Sequence, residues 1–352
     1  MDLRAQLCAI STLLDGAIRR AERVLSPEQL SLVIDWAGDL RVVRGCSPTT
    51  VAKYLDGARR FIAWAEGREL SLSGLTRAQA EDWLKSLFYH GRLSAGVRAQ
   101  HLAALRSFFD WHARARGGVN PFVGIPSPKR ERRLPVKFGT AELAALFGQI
   151  DKDSEIGARD YAFLLTLYAT GARRTELGSL RLGQLQIGDR VGLIRFMGKG
   201  AKERAVKIHG EALYGLKEWL IVRDTLDPAD DSLWLVTVKP RRGFPLSGKN
   251  LDRMLHRYAD AAGLADAHLH RFRTSCATDL YDAGVDLELI RSHLGHEKLE
   301  TTRRYLALTN RARDVRIPAS RLAEVTGRRA SVVPLWVRKR LAEGGDDGDG
   351  HA

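Results

Sequence analysis

Six polar side chains between residues 173 and 305 of this 352-residue sequence stand where a hydrophobic core has no use for them. Arg173 lies in "TGARRTEL", Lys199 between two glycines in "GKGAKER", and His270 and Arg273 in "HRFRTSCATDL". His296 lies in "LGHEKLETTRRYL", and Tyr305 follows it nine residues later. Together these types suit chemistry on a phosphodiester. A phenol with a pKa of about 10 is a poor nucleophile at neutral pH, yet tyrosine forms covalent intermediates when a base and nearby charge assist it. The attack passes through a crowded phosphorane that carries extra negative charge. Arg173 and Arg273, always charged and planar, offer forks of donors that match two phosphate oxygens. His270 and His296 can donate to the same oxygens or accept the phenolic proton. Lys199, whose glycine neighbours let the backbone approach a ligand closely, can protonate the departing 5′ oxygen. Each residue alone has an ordinary reading as a surface cation, a structural histidine or a turn lysine, so the weight rests on the combination.

Two rival chemistries fit less well. His268/His270 and His293/His296 with Cys276 suggest zinc, but they lack paired-cysteine spacing and the His-Glu-x-x-His pattern. "GKGAKER" lacks the upstream glycine and following Ser/Thr of a phosphate-binding P-loop. Neither a metal nor another cofactor is expected.

The elements that must position these residues are mostly helices. Residues 6 to 24 read as one amphipathic helix with Leu7, Ile10, Leu13, Leu14 and Ile18 near one face, and 1–25 as an N-terminal helical extension. From 26 to 116 the pattern is a helical bundle. Ser47-Pro48 caps a helix carrying Val51, Leu55, Phe61 and Ile62. Thr76 and Gln79 form a capping box. A helix from about Ser94 turns Val97, Leu102, Leu105, Phe108, Phe109 and His112 inward and leaves Arg98 and Arg106 outside. Prolines, Gly117-Gly118 and "KRERR" make 117–138 a basic linker. A second domain, 139–318, should begin with a helix capped by Thr140 and a long apolar helix over 158–169. "RVGLIRF" and "RAVKI" should pair as a hairpin across "MGKGAKE", with "LWLV" a possible further strand. In the tail, 319–352, the Gly/Asp-rich end is expected to be disordered.

Fifty-six Lys and Arg against 42 Asp and Glu give a formal net charge of +14, the footprint of a polyanion binder. Three scattered cysteines form no disulfide framework and fit a reducing cytoplasm. No signal peptide or membrane span is expected, because charges interrupt every apolar run.

In order and spacing, T-G-x-R, G-K-G, H-x-x-R and L-G-H followed by tyrosine resembles the tyrosine recombinases, the phage integrase family. The "CATDL" that follows sets the register, so Arg273 rather than Arg271, and His270 rather than His268, match the family positions. The resemblance implies a mainly α fold with a small antiparallel β-sheet, an N-terminal helical SAM-like core-binding domain and a catalytic domain. It implies Arg173, Lys199, His270, Arg273, His296 and Tyr305 as catalytic residues, with a 3′-phosphotyrosyl intermediate at Tyr305 that needs neither metal nor ATP. The expected partners are double-stranded DNA recombination sites, further copies of the chain in a tetrameric synapse, and accessory DNA-bending proteins, in a bacterial cytoplasm at the nucleoid. Lys53, Arg59, Arg98, Lys129, Arg130, Arg132 and Arg133 are candidate DNA contacts. The long ends on either side favour an integrase of a phage or mobile element. A Xer-like resolvase of chromosome or plasmid dimers is the alternative, and a type IB topoisomerase-like nicking-closing enzyme a more distant one.

Overall fold

Ser11 interrupts the first stretch of helix, and its hydroxyl accepts from the Leu13 amide to start a new one. The computed structural model, which describes residues 3–129, 136–198, 203–297, 299 and 302, therefore has two helices, α1 (Leu3–Ile10) and α2 (Thr12–Glu22), where the periodicity predicts one. A serine competing for backbone donors explains the break. It also corrects the expected face, since Leu7, Leu14 and Ile18 are buried while Ile10 and Leu13 are exposed.

The chain divides into two units, 1–132 and 133–352. The first holds α1 and α2 together with α3 (Pro27–Gly38), which winds on as a π-helix over Asp39–Val43. It continues with α4 (Pro48–Glu66), α5 (Arg77–Tyr89) and α6 (Ala95–Arg116). Ser47, the Thr76/Gln79 box and Ser94 cap α4, α5 and α6 as the sequence predicts. One core joins Leu14 and Ile18 of the extension to Trp36, Phe61 and Phe108 of the bundle. Phe61 sits at its centre, edge-on to Trp83, Phe109 and Phe122 at 5.5–5.7 Å, a favoured geometry for aromatic pairs. Two expectations for α6 are corrected. Val97 is exposed rather than inward, because it lies in the first turn, before the helix enters the core. Arg106 is half-buried, and its guanidinium donates to the carbonyls of Phe122 and Ile125. That anchors the start of the 117–138 stretch in this unit, where Phe122 and Ile125 are core residues.

The second unit takes up the other end of that stretch, with Phe138 in its core. Helix α7 (Thr140–Gly148) is capped by Gly139, whose amide donates to Glu142 at 2.7 Å, so Thr140 is the first helical residue rather than the cap. Helix α8 (Glu155–Thr170) is buried almost all round, as its apolar run over 161–169 requires, and its buried Arg159 and Asp160 pair with each other at 2.6 Å. The short α9 (Arg174–Gly178) leads to an antiparallel sheet ordered β1 (Leu185–Ile187), β2 (Gly192–Met197), β3 (Glu203–Ile208). The hairpin is where the sequence puts it, with Phe196 opposite Arg204, but its connection, 199–202, lies outside the described residues. The third strand is 185–187, not "LWLV". Leu233, Trp234 and Leu235 are buried in chain that forms only an isolated bridge, Leu235 to Pro245, and the Trp234 indole donates to the Leu177 carbonyl at 2.8 Å. Trp234 stacks on Trp219 of α10 (Gly210–Asp224), and Phe163 of α8 meets it edge-on. The unit closes with α11 (Gly248–Ala261), α12 (Leu269–Asp282) and α13 (Leu287–Leu294). No helix among the described residues is long and apolar enough to cross a membrane.

Candidate active site

Two helix ends face each other beneath the candidate site. Helix α8 stops at Gly171 and α13 at Gly295, both left-handed, with φ of +56° and +66°. Terminal carbonyls of a helix lack intrahelical donors and carry partial negative charge. Here arginines take them up. Arg273, 1% exposed, donates from one Nη to Gly171 O at 2.6 Å and from the other to Leu294 O at 2.7 Å. Arg173, the cap of α9, donates to Gly295 O at 3.3 Å. At Gly171 a Cβ would lie 2.5 Å from Leu294 Cδ2 and 3.1 Å from Cys276 Sγ. Gly171→Ala should therefore lose about 2–4 kcal/mol from left-handed strain plus overpacking, read as a drop in urea midpoint. An unchanged midpoint would show that the α8–α13 contact is loose.

Arg271, two residues before Arg273, is directed elsewhere. Its guanidinium pairs with Glu142 at 2.9 Å and lies over Phe138, 4.0 Å from the centroid. Two residues that sequence reasoning left without a role support the site. Glu176 accepts from the Arg173 amide at 2.9 Å and from its guanidinium at 2.6 Å, and from Arg204 of β3 at 2.7 Å. Burial alone would raise its pKa, but the bonds from Arg204 and Arg173 hold the carboxyl down at about 2. Glu176 was visible in "TGARRTEL" as an i,i+3 partner of Arg173, whereas no local signal in "GKGAKER" points from Arg204 to a partner in α9.

His296 is 5% exposed, with Nδ1 2.9 Å from the hydroxyl of Thr302. Burial, then the charges of Arg273 and Arg173, hold its pKa down at about 3. At neutral pH the ring is thus uncharged and carries one N–H and one lone pair. His270, in the first turn of α12, opens to solvent at one edge, yet its pKa is also lowered, by desolvation and then by the charges of Arg273, His268 and Arg173. Arg273 and Arg173 bond the carbonyls of Leu294 and Gly295, just before His296, and His270 lies one turn before Arg273 on α12, so the four converge on one place. His293 turns away, with Nε2 3.9 Å from the thiol of Cys276, which burial pushes up to about 12.

The depressed imidazoles make stability depend on pH in a defined direction. A histidine that stays neutral in the fold but titrates near 6.5 when unfolded contributes fully above 6.5 and loses that contribution as pH falls toward about 3. Glu176, depressed from 4.5 to about 2, adds its own loss only below 4.5. Thermal melts should show Tm falling from pH 6.5 to 4.5, with a shallower fall in His296→Gln. Equal slopes would mean His296 titrates normally in the folded protein.

Lys199 and Tyr305 lie outside the described residues, as do Arg130, Arg132 and Arg133. Of the other candidate DNA contacts, Lys53 and Lys129 are exposed. Arg59 is half-buried and shares Asp56 with Arg60, each at 2.9 Å, which leaves one cation in excess there. Arg98 lies over Phe88, 4.7 Å from the ring centroid. Among the described residues no group of three His, Cys, Asp or Glu is disposed to hold a metal ion.

Comparison with known proteins agrees with this architecture. The phage integrase family model matches residues 138–311, and the model of the phage integrase N-terminal SAM-like domain matches 33–116. The tyrosine recombinase XerC of Staphylococcus carnosus is 31% identical over 273 residues, covering 77% of this chain and 90% of the relative. In fold, the chain is similar to XerH site-specific recombinase bound to palindromic difH substrate in a post-cleavage complex. That likeness has a TM-score of 0.64 and 21% identity, and covers 92% of this chain and 96% of that one. It is also similar to a lambda integrase tetramer bound to a Holliday junction, with a TM-score of 0.60 and 18% identity over 82% of this chain and 80% of that one. The chain belongs to the phage integrase family, the tyrosine-type site-specific DNA recombinases.

Proposed function

We propose that this enzyme cuts and rejoins double-stranded DNA through a 3′-phosphotyrosyl link to Tyr305, and that its role is Xer-like. The observation that carries the chemistry is the convergence of Arg173, Arg273, His270 and His296, with both arginines fixed on helix-end carbonyls. The Tyr305 oxygen attacks phosphorus, and the bond to the 5′ oxygen breaks as Lys199 delivers a proton. Arg173 and Arg273 stabilise the non-bridging oxygens. A neutral His296 donates to the phosphate or accepts the phenolic proton, according to which way the Thr302 hydroxyl points. A 5′ hydroxyl from another strand then attacks the phosphotyrosine and regenerates the phenol, so the phosphodiester energy is kept and ATP is not consumed. The lambda integrase tetramer on a Holliday junction supports an exchange among four protomers.

The XerC name of a relative covered over 90% of its length supports the resolvase role. Helices α1 and α2, which precede the matched N-terminal domain, favour the alternative, an integrase of a mobile element. Sequencing the DNA held covalently by the protein in cells tests both readings. A single chromosomal site away from any element boundary is the expected result. Element–target junctions would replace it with the integrase role, and no covalently held DNA would overturn the chemistry.

A further inference from the structure

Arg204 stands outside the six-residue set, yet it touches the parts that hold that set in place. It projects from β3, opposite Phe196 of β2, and its guanidinium lies over that ring, 4.7 Å from the centroid. Its Nε donates to the carbonyl of His293 at 3.1 Å, and Nη2 donates to Oε2 of Glu176 at 2.7 Å. It also fills the space beside Gly295, where a Cβ would come within 3.0 Å of its Cδ. With 11% of its side chain exposed, this is a largely desolvated cation whose fork and flat face are each engaged, an arrangement that lysine cannot reproduce.

The charges explain what this contact is for. Glu176 lies between two arginines, giving one oxygen to Arg204 and the other to the Arg173 guanidinium. The triad Arg173–Glu176–Arg204 has one cation in excess. Without Arg204 the carboxylate would face Arg173 alone and cancel the charge needed at the phosphate. The His293 carbonyl would also lose its donor, at the start of the turn that carries Gly295 and His296.

We propose that Arg204 is a positioning residue for strand cleavage. By occupying one oxygen of Glu176 and the His293 carbonyl, it leaves the positive charge of Arg173 for the scissile phosphate and holds the His296 turn in register. This rests on the phosphotyrosyl chemistry proposed above.

The test uses the full chain and a nicked duplex whose cleavage traps the protein covalently, read on a denaturing gel. Arg204→Gln should keep its duplex affinity but form adduct about 10- to 100-fold more slowly, a loss typical of weakened charge stabilisation. Arg204→Lys should recover part of that rate. The deciding substrate carries a methylphosphonate at the scissile position, which removes one phosphate charge. If Arg204 serves to free the charge of Arg173, the gap between Arg204→Gln and wild type should narrow to about three-fold or less on this substrate. A gap of equal size on both substrates would make Arg204 merely structural and overturn the proposal, as would a wild-type rate for Arg204→Gln. If the Gln variant does not fold, Arg204→Lys is judged by the same comparison. Absence of adduct from wild-type protein would instead defeat the phosphotyrosyl reading itself.

Discussion

Tyr305→Phe is expected to bind its DNA site with unchanged affinity and to form no covalent adduct. The substitution removes one oxygen and leaves the ring, so the electrostatic contacts that dominate affinity are untouched. The attacking atom of the proposed chemistry is absent. Histidines at the site are neutral at pH 7 and held by their surroundings, His296 with a pKa near 3, so they suit proton handling. On a nicked suicide duplex, wild type should give a slow-migrating protein–DNA band that survives chelators. The same band from Tyr305→Phe would place the nucleophile elsewhere, and loss of the wild-type band on chelation would point to a metal.

Arg273→Ala should be the change among the described residues most damaging to cleavage. It removes a fork that spans Gly171 O and Leu294 O and leaves both carbonyls without it in a buried setting. Unfolding free energy should fall by about 1–3 kcal/mol. Adduct formation should fall by about 100- to 1,000-fold, the usual loss when a donor to a developing oxyanion is removed. Arg273→Lys should recover little, because one ammonium on a flexible stem cannot replace a planar fork held at two points. Near-wild-type cleavage by Arg273→Lys would show that a point charge suffices there.

Helices were legible wherever period and cap agreed, as with Ser47-Pro48 and the Thr76/Gln79 box. The hairpin was legible from its alternation. "LWLV" misled because a short apolar run has the same composition in a strand and in buried irregular chain, and here the Trp234 indole finds its acceptor in α9. The first helix misled because apolar spacing continues across Ser11 while the hydrogen bonds do not. At the site, charged and nucleophilic residues carry a readable pattern. Their supports do not, because Gly171 O, Leu294 O and Gly295 O are main-chain atoms and β3 reaches Glu176 only through the fold.

Anchoring of Arg273 on the backbone also bears on how this enzyme can vary. A cation held by side chains ties several positions to one another, so a change in one demands changes in the rest. A cation held by the carbonyls at two helix ends constrains only the path of the main chain. Side chains that decorate those ends without filling the gap between them, such as exposed Ser292, are then free to drift with little loss of catalysis. Gly171 and Gly295, which define the path, are not. Saturation libraries at 171 and over 291–296 should accept change at exposed Ser292 and reject it at Gly171, Leu294, Gly295 and His296.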